Sequence, residues 1–390
     1  MKKLIFTCAL PLMTVSCKGS SGSSTSDLKE AISASGSNPR CGGLSSEILT
    51  NGVWENDNPA GFSNSLIAAT LAHHAYPYAW KGADIQQTLK GLSPDQVSSF
   101  REQVKAHWRP LGADTIEFIE FDDAEKTLEA NAMVLGTKKD VFVVFRGVSR
   151  ITQFMRAFRN NDIEGVIAGK KIRLWETNYL AYKGIIDQVE KEVLKARSQT
   201  TNASTAKIWL IGHSSGGAYA ALSALDLTYK HPELVVGGIY TFGSNMSGIA
   251  CSVGDTCLSS MYNPKFGSMT YRWVNDNDLG PFLPKKEKDH QNWVHLPAPE
   301  QGIFRITGPT CERVYGKKTE NICNESIKKP DGSAQSSECK PGLADHWSSL
   351  YVTKIKTCLQ TELQKSKNDQ RQVCAAEILN KTLATSPKNN

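Results

Sequence analysis

Lys207-Ile208-Trp209-Leu210-Ile211-Gly212-His213-Ser214-Ser215-Gly216-Gly217-Ala218 runs from a short unbroken apolar stretch through a glycine-rich turn into a long stretch of small and apolar residues. A short continuous apolar run is how a strand reads when both faces of its sheet are covered. The small and apolar stretch beyond the turn reads as a helix. A Gly-x-Ser-x-Gly turn between strand and helix pushes the hydroxyl of Ser214 out at its apex, and the flanking glycines avoid clashes in so sharp a bend. The amide of Ser215 then points toward the place where an oxyanion would form.

Working outward, residues 63–76 and Pro94–Trp108 have helical apolar spacing, and 115–121 alternates as a strand. Residues 127–135 pair with 141–145 across a Gly-containing hairpin turn, 136–140. Residues 179–196 read as an amphipathic helix. Val235–Phe242 and Thr270–Asn275 repeat the buried-strand pattern. Strands alternating with helices predict a mostly parallel central sheet covered by helices on both faces. A polar, Cys-bearing insertion is expected at 307–342, and 347–384 returns to helix. One α/β domain accounts for 45–385, with no internal repeats.

Composition narrows the class. The 390 residues carry 45 Lys+Arg against 39 Asp+Glu, a net charge of +6, with 40% hydrophobic and 22% charged residues. That is a folded protein rather than a disordered one, and its small, scattered excess of charge excludes the dense basic stripe of a nucleic-acid binder. At the N-terminus Lys2 and Lys3 precede an apolar run of 12 residues, 4–15, too short to span a bilayer but suited to a secretory signal. The ending Met13-Thr14-Val15-Ser16-Cys17 resembles a bacterial lipobox, with Thr14 where such boxes usually carry Leu. The expectation is a signal peptide over 1–16, lipidation of Cys17 and a flexible tether over 17–44, its Gly/Ser tract at 19–26. An ordinary cleaved signal with a chance Cys stands as the alternative. Export from a bacterial cell is expected either way: an anchored lipoprotein facing the periplasm or the cell surface, or a secreted protein.

Beyond Cys8 and Cys17, eight cysteines remain, an even set that argues for disulfides in an exported chain. Cys251 and Cys257 flank a loop that can close on itself. Cys358 and Cys374 are equidistant from residue 366, in a polar turn between two helical stretches, which suits a stapled C-terminal helical hairpin. Cys41, Cys311, Cys323 and Cys339 have no assignable partners.

A serine hydroxyl is a poor nucleophile until a base takes its proton and a carboxylate orients that base. Four segments show a family pattern: Val143-Val144-Phe145-Arg146-Gly147, the elbow Gly212 to Gly217, Thr241-Phe242-Gly243-Ser244, and Arg272 to Pro284. In order and spacing, over about 130–300, the chain resembles the class 3 (fungal-type) lipases of the α/β-hydrolase fold. The resemblance implies Ser214 as nucleophile and Asp278 as the triad acid, six residues after the pattern's Arg, with Asp276 a nearby competitor. Of the three histidines beyond Asp278, it points to His346 as base. His290 lies in a charged run, and His295 resembles a structural family residue. His213 is too close to the elbow to serve, and His73 and His74 are most simply helix residues. Val148 and Ser215 would supply the oxyanion-hole amides. Val148 stands where the family usually has Ser or Thr, with Ser149 next to it, and Ser215 replaces a common Leu.

Residues 150–172 occupy the family's lid position. Ile151, Phe154, Met155 and Phe158 share a helical face, which suits either a mobile amphipathic lid or an ordinary packed surface helix. The implied activity is hydrolysis of carboxylic esters, foremost acylglycerols, without metal or organic cofactor. The partners are a lipid or other ester substrate and a membrane surface reached through the lipid anchor. Phospholipase A1 and short-chain or aromatic esterase activities share the same elbow. An inactive lipase-like surface-binding protein is the alternative of another class. Oligomeric state is not legible.

Overall fold

The elbow strand, β6 (Lys207–His213), lies at the centre of an eight-stranded sheet. A computed structural model describes residues 48–49, 54, 60–80, 88, 91–125, 128–149, 161–249, 251, 255–275, 278–284, 293–297, 302–307, 310–315 and 346–365. The expected signal and tether with Cys17, the predicted lid helix, Asp276, His290 and Cys374 lie outside them.

The strands are β1 (Thr115–Asp122), β2 (Glu129–Gly136), β3 (Val141–Arg146), β4 (Asp162–Ile167), β5 (Lys170–Trp175), β6, β7 (Val235–Phe242), β8 (Gly248–Ile249), β9 (Thr270–Asn275), β10 (Trp293–Val294), β11 (Ile303–Thr307) and β12 (Thr310–Val314). The main sheet has the order β1-β2-β3-β6-β7-β9-β11-β12. It is parallel from β3 to β11 and antiparallel at both margins. The helices are α1 (Phe62–His74), α2 (Pro94–Trp108), α3 (Glu176–Ser198), α4 (Ser215–Lys230), α5 (Leu258–Phe266) and α6 (Ser348–Lys365). Among the described residues no helix is long and apolar enough to cross a membrane.

Side-chain alternation explains the unbroken apolar reading of β6. Trp209 and Ile211 join a core with Leu66 and Leu71 of α1, Val104 of α2 and Ile355 of α6. Ile208 and Leu210 face the opposite core, with Ile185 and Val189 of α3 and Leu222 of α4. Each such side chain, fully buried, contributes roughly 1.5–3 kcal/mol. Local signals set the ends: Ser93 and Gln96 form a reciprocal capping box at the start of α2, with Pro94 in its first turn.

Two expectations change. Residues 162–172, assigned to the lid position, belong instead to a β4–β5 hairpin in a second, four-stranded sheet, β10-β8-β5-β4. Its two-residue turn, Ala168-Gly169, has positive φ at both positions, as tight hairpins require, and Ile172 and Leu174 alternate inward against exposed Lys171 and Arg173. The segment read as an insertion from 307 begins later, because β11 and β12 extend the main sheet to Val314.

The cysteines follow the sheet. Cys251 and Cys257 are disulfide-bonded. Cys358 is joined to Cys311 on β12, with Cα atoms 5.7 Å apart, and not to Cys374. Cys358 is buried on the sheet-facing side of α6, so its sulfur points at β12 rather than along the chain toward the polar turn after α6.

Candidate active site

The carboxyl ends of adjacent parallel strands converge on one edge of the sheet, the usual place for a site in open α/β sheets. β6 is followed by Ser214, which has φ 58° and ψ −131°, a strained apex between strand and helix. The elbow needs glycine at 216, since a Cβ there would lie 2.2 Å from the Phe145 carbonyl oxygen of β3. β9 leads through Asn275 to Asp278, and His346 arrives just before α6.

These three residues, far apart in sequence, meet. His346 Nε2 lies 2.8 Å from Ser214 Oγ, and His346 Nδ1 lies 2.6 Å from Asp278 Oδ1. A carboxylate at Nδ1 requires the proton on that nitrogen, which leaves Nε2 to accept from the serine hydroxyl. Asp278 is fully buried. It also accepts from the Gly280 N–H at 2.6 Å and from the Tyr351 hydroxyl at 2.6 Å. Burial, with the Asp278 charge beside it, pushes the Tyr351 phenol well above its ordinary value and keeps it a donor. Its oxygen accepts from the Asn275 N–H at 3.0 Å.

His213 does not bond Ser214. Its Nε2–H donates to the His346 carbonyl at 2.7 Å, and its Nδ1 accepts from the Tyr76 hydroxyl at 2.8 Å. Burial holds it well below the usual histidine range, so it stays neutral. His73 lies at the end of α1, with Nδ1 3.0 Å from Ser348 Oγ, tying α1 to the first turn of α6. His295 follows β10, outside the Ser-His-Asp contact. Tyr351, Tyr76 and Glu129 escaped the sequence reading of roles. Only the five-residue interval from His346 to Tyr351 hinted at the first of them.

Val148 follows β3 in the turn after Arg146, and Ser215 opens α4. Among the described residues the Val148 N–H has no acceptor, whereas the amides on either side are used: Gly147 donates to Tyr76 Oη and Ser149 to Glu129. The Ser215 amide lies in the first turn of α4, where helix amides have no intrahelical partner and the helix dipole favours negative charge. Ser215 Oγ accepts from Asn245 Nδ2 at 3.2 Å. Among the described residues no group of three or more His, Cys, Asp or Glu side chains is arranged to hold a metal ion.

A mostly parallel sheet with a serine at a strand–helix elbow and a histidine–carboxylate pair beside it is the arrangement of the α/β-hydrolase fold. The family model for lipase (class 3) matches residues 142–288. Over that span the chain is similar to the class 3 lipases. It is similar to a curated lipase of Rhizomucor miehei, 28% identical over 188 residues, 46% of this chain and 48% of that protein. The chain thus spans about half the length of that relative. Among solved structures it is similar to a triacylglycerol lipase from Penicillium expansum, with TM-score 0.46, 15% identity, and 76% and 96% of the two chains covered. It is also similar to a Rhizomucor miehei lipase–propeptide complex, with TM-score 0.45, 19% identity, and 73% and 78% covered.

Proposed function

We propose that this protein is a serine hydrolase that cleaves carboxylic esters as a lipase, with acylglycerols as the substrate class. The observation that carries the reading is the continuous relay Ser214–His346–Asp278, at 2.8 and 2.6 Å, on the carboxyl edge of the sheet. Ser214 Oγ attacks the ester carbonyl while His346 Nε2 takes its proton, and Asp278 holds the ring and stabilises the imidazolium. The Val148 and Ser215 amides stabilise the tetrahedral oxyanion. The C–O bond then breaks, the alcohol leaves with the proton from His346, and an acyl-enzyme remains. Water adds to the acyl carbon, giving its proton to His346. The acid departs as Ser214 regains that proton.

The curated relative supports the reaction class, being called a lipase. The N-terminal signal and lipobox-like Cys17 support export and a lipid anchor, which would hold the enzyme at a membrane surface. The test is labelling with a fluorophosphonate, wild type beside Ser214→Ala, with p-nitrophenyl esters from C2 to C16 and emulsified triacylglycerol. Labelling that requires Ser214, with turnover rising toward long chains and on the emulsion, is expected. Preference for C2 to C4 would move the function to a soluble-ester esterase. A folded wild type that neither labels nor turns over any ester would sink the catalytic reading in favour of an inactive binding protein.

A further inference from the structure

Glu129, the first residue of β2, carries a carboxylate with almost no contact with solvent, 3% exposed, where an uncompensated charge is costly. Both of its oxygens are met by residues of one turn. Oε1 accepts from the Ser149 N–H at 2.6 Å and the Ser149 hydroxyl at 2.7 Å, and Oε2 lies 3.3 Å from Arg146 Nη2. Residues 146 and 149 bracket Gly147 and Val148. The antiparallel register that pairs Asn131 with Arg146 would, continued past the end of β3, bring Glu129 opposite Val148.

The turn is also fixed from within and pressed against the nucleophile. The Gly147 N–H donates to Tyr76 Oη at 2.9 Å, and a Cβ on Gly147 would lie 2.6 Å from Ser214 Cβ. Of three successive amides, the outer two are consumed and, among the described residues, only that of Val148 has no acceptor. A Ser or Thr at 148 would bring a hydroxyl of its own with which to brace this turn, and valine has none.

We infer that Glu129 is a positioning residue for the oxyanion turn, its carboxylate clamping Arg146 and Ser149 so that the Val148 amide stays free and rigid beside Ser214. The assignment rests on the proposed ester-hydrolase function and deepens it. Glu129 touches no reacting atom. Its effect is on the preorganisation of a donor, which matters in the transition state far more than in substrate binding.

The experiment compares full-length wild type with Glu129→Ala, Glu129→Gln and Ser149→Ala. It measures kcat and KM on one p-nitrophenyl ester, inhibition by an alkylboronic acid that forms a tetrahedral serine adduct, and Tm. Loss of one oxyanion donor costs about 100- to 1000-fold in kcat. Glu129→Ala is expected to lower kcat by about 100-fold, with KM within about threefold and boronate affinity falling in parallel. Ser149→Ala is expected to fall about tenfold, removing one of the two bonds from that residue. Glu129→Gln keeps an acceptor and should lie between them. If Glu129→Ala does not fold, the other two variants decide. Variants that lose Tm but keep wild-type kcat and boronate affinity would show a merely structural role and overturn the assignment. A wild type without Ser214-dependent turnover overturns the function and this assignment together.

Discussion

Replacing Tyr351 with Phe isolates what anchors the buried acid. Asp278 is fully buried and Tyr351 is 1% exposed, so no solvent can take over a lost hydrogen bond. The substitution removes one donor to a charged acceptor, the 2.6 Å bond to Asp278 Oδ2, worth roughly 1.5–3 kcal/mol. It also removes the acceptor of the Asn275 N–H, and leaving a buried donor unpaired costs roughly 1–3 kcal/mol more. The phenyl ring retains its packing near Phe242 and His213. The expected destabilisation is therefore about 3–5 kcal/mol. Catalysis should suffer less, because Asp278 keeps His346 and the Gly280 N–H on Oδ1. Turnover per folded enzyme is expected to fall less than about tenfold, well short of the loss from removing the acid itself. Urea unfolding followed by tryptophan fluorescence reads the first quantity, and turnover normalised by fluorophosphonate titration reads the second. A destabilisation below about 1 kcal/mol, or a loss of turnover as large as that of Asp278→Asn, would refute this account of Tyr351.

Asp278→Asn should leave the fold intact and lower kcat by about 10⁴-fold by allowing the wrong His346 tautomer, checked by steady-state turnover against titrated sites. His107 is buried among His74, Trp80 and Trp108, and burial lowers it to about 4 from 6.5. Its folded value is depressed, so its contribution is complete above pH 6.5 and is lost as pH falls toward 4, about 3 kcal/mol in all. His107→Phe removes that titration, and its stability measured from pH 7 to pH 4 should fall about 3 kcal/mol less than that of wild type. An unchanged pH slope would contradict the argument. The bond between Cys311 and Cys358 closes a loop across a separation of 47 residues, so the Cys311→Ser/Cys358→Ser double variant should lose up to about 4 kcal/mol. The same Tm for wild type and double variant under non-reducing conditions would show that the bond constrains nothing.

Much of this was readable along the chain. The apolar runs at β6, β7 and β9, the capping signals at Ser93 and Pro94, and the elbow around Ser214 all act over a few residues, so neighbours in sequence suffice to define them. The candidates Ser214, Asp278 and His346 came from the family resemblance, and the structure brings His346 within hydrogen-bonding distance of both Ser214 and Asp278. The β4–β5 hairpin was legible in principle, since Ile172 and Leu174 alternate with charged residues, but an expected lid at that position obscured the period-two signal. Cys358 could not be paired from spacing, because symmetry about residue 366 says nothing of which face of α6 the sulfur lies on.

Local order, then, is written in the sequence: which segments are strands or helices, where the sharp turn must fall, and which side chains can carry acyl-transfer chemistry. Partnership between distant residues is a property of the folded chain alone. Glu129 beneath the Arg146–Ser149 turn, Tyr76 between Gly147 and His213, Tyr351 against Asp278, and Cys311 against Cys358 each join elements whose separation is set by strand order and helix docking. No short-range propensity distinguishes such a glutamate or tyrosine from a solvated one. What distinguishes them is burial, which makes a polar atom's partner obligatory and thereby gives it a role.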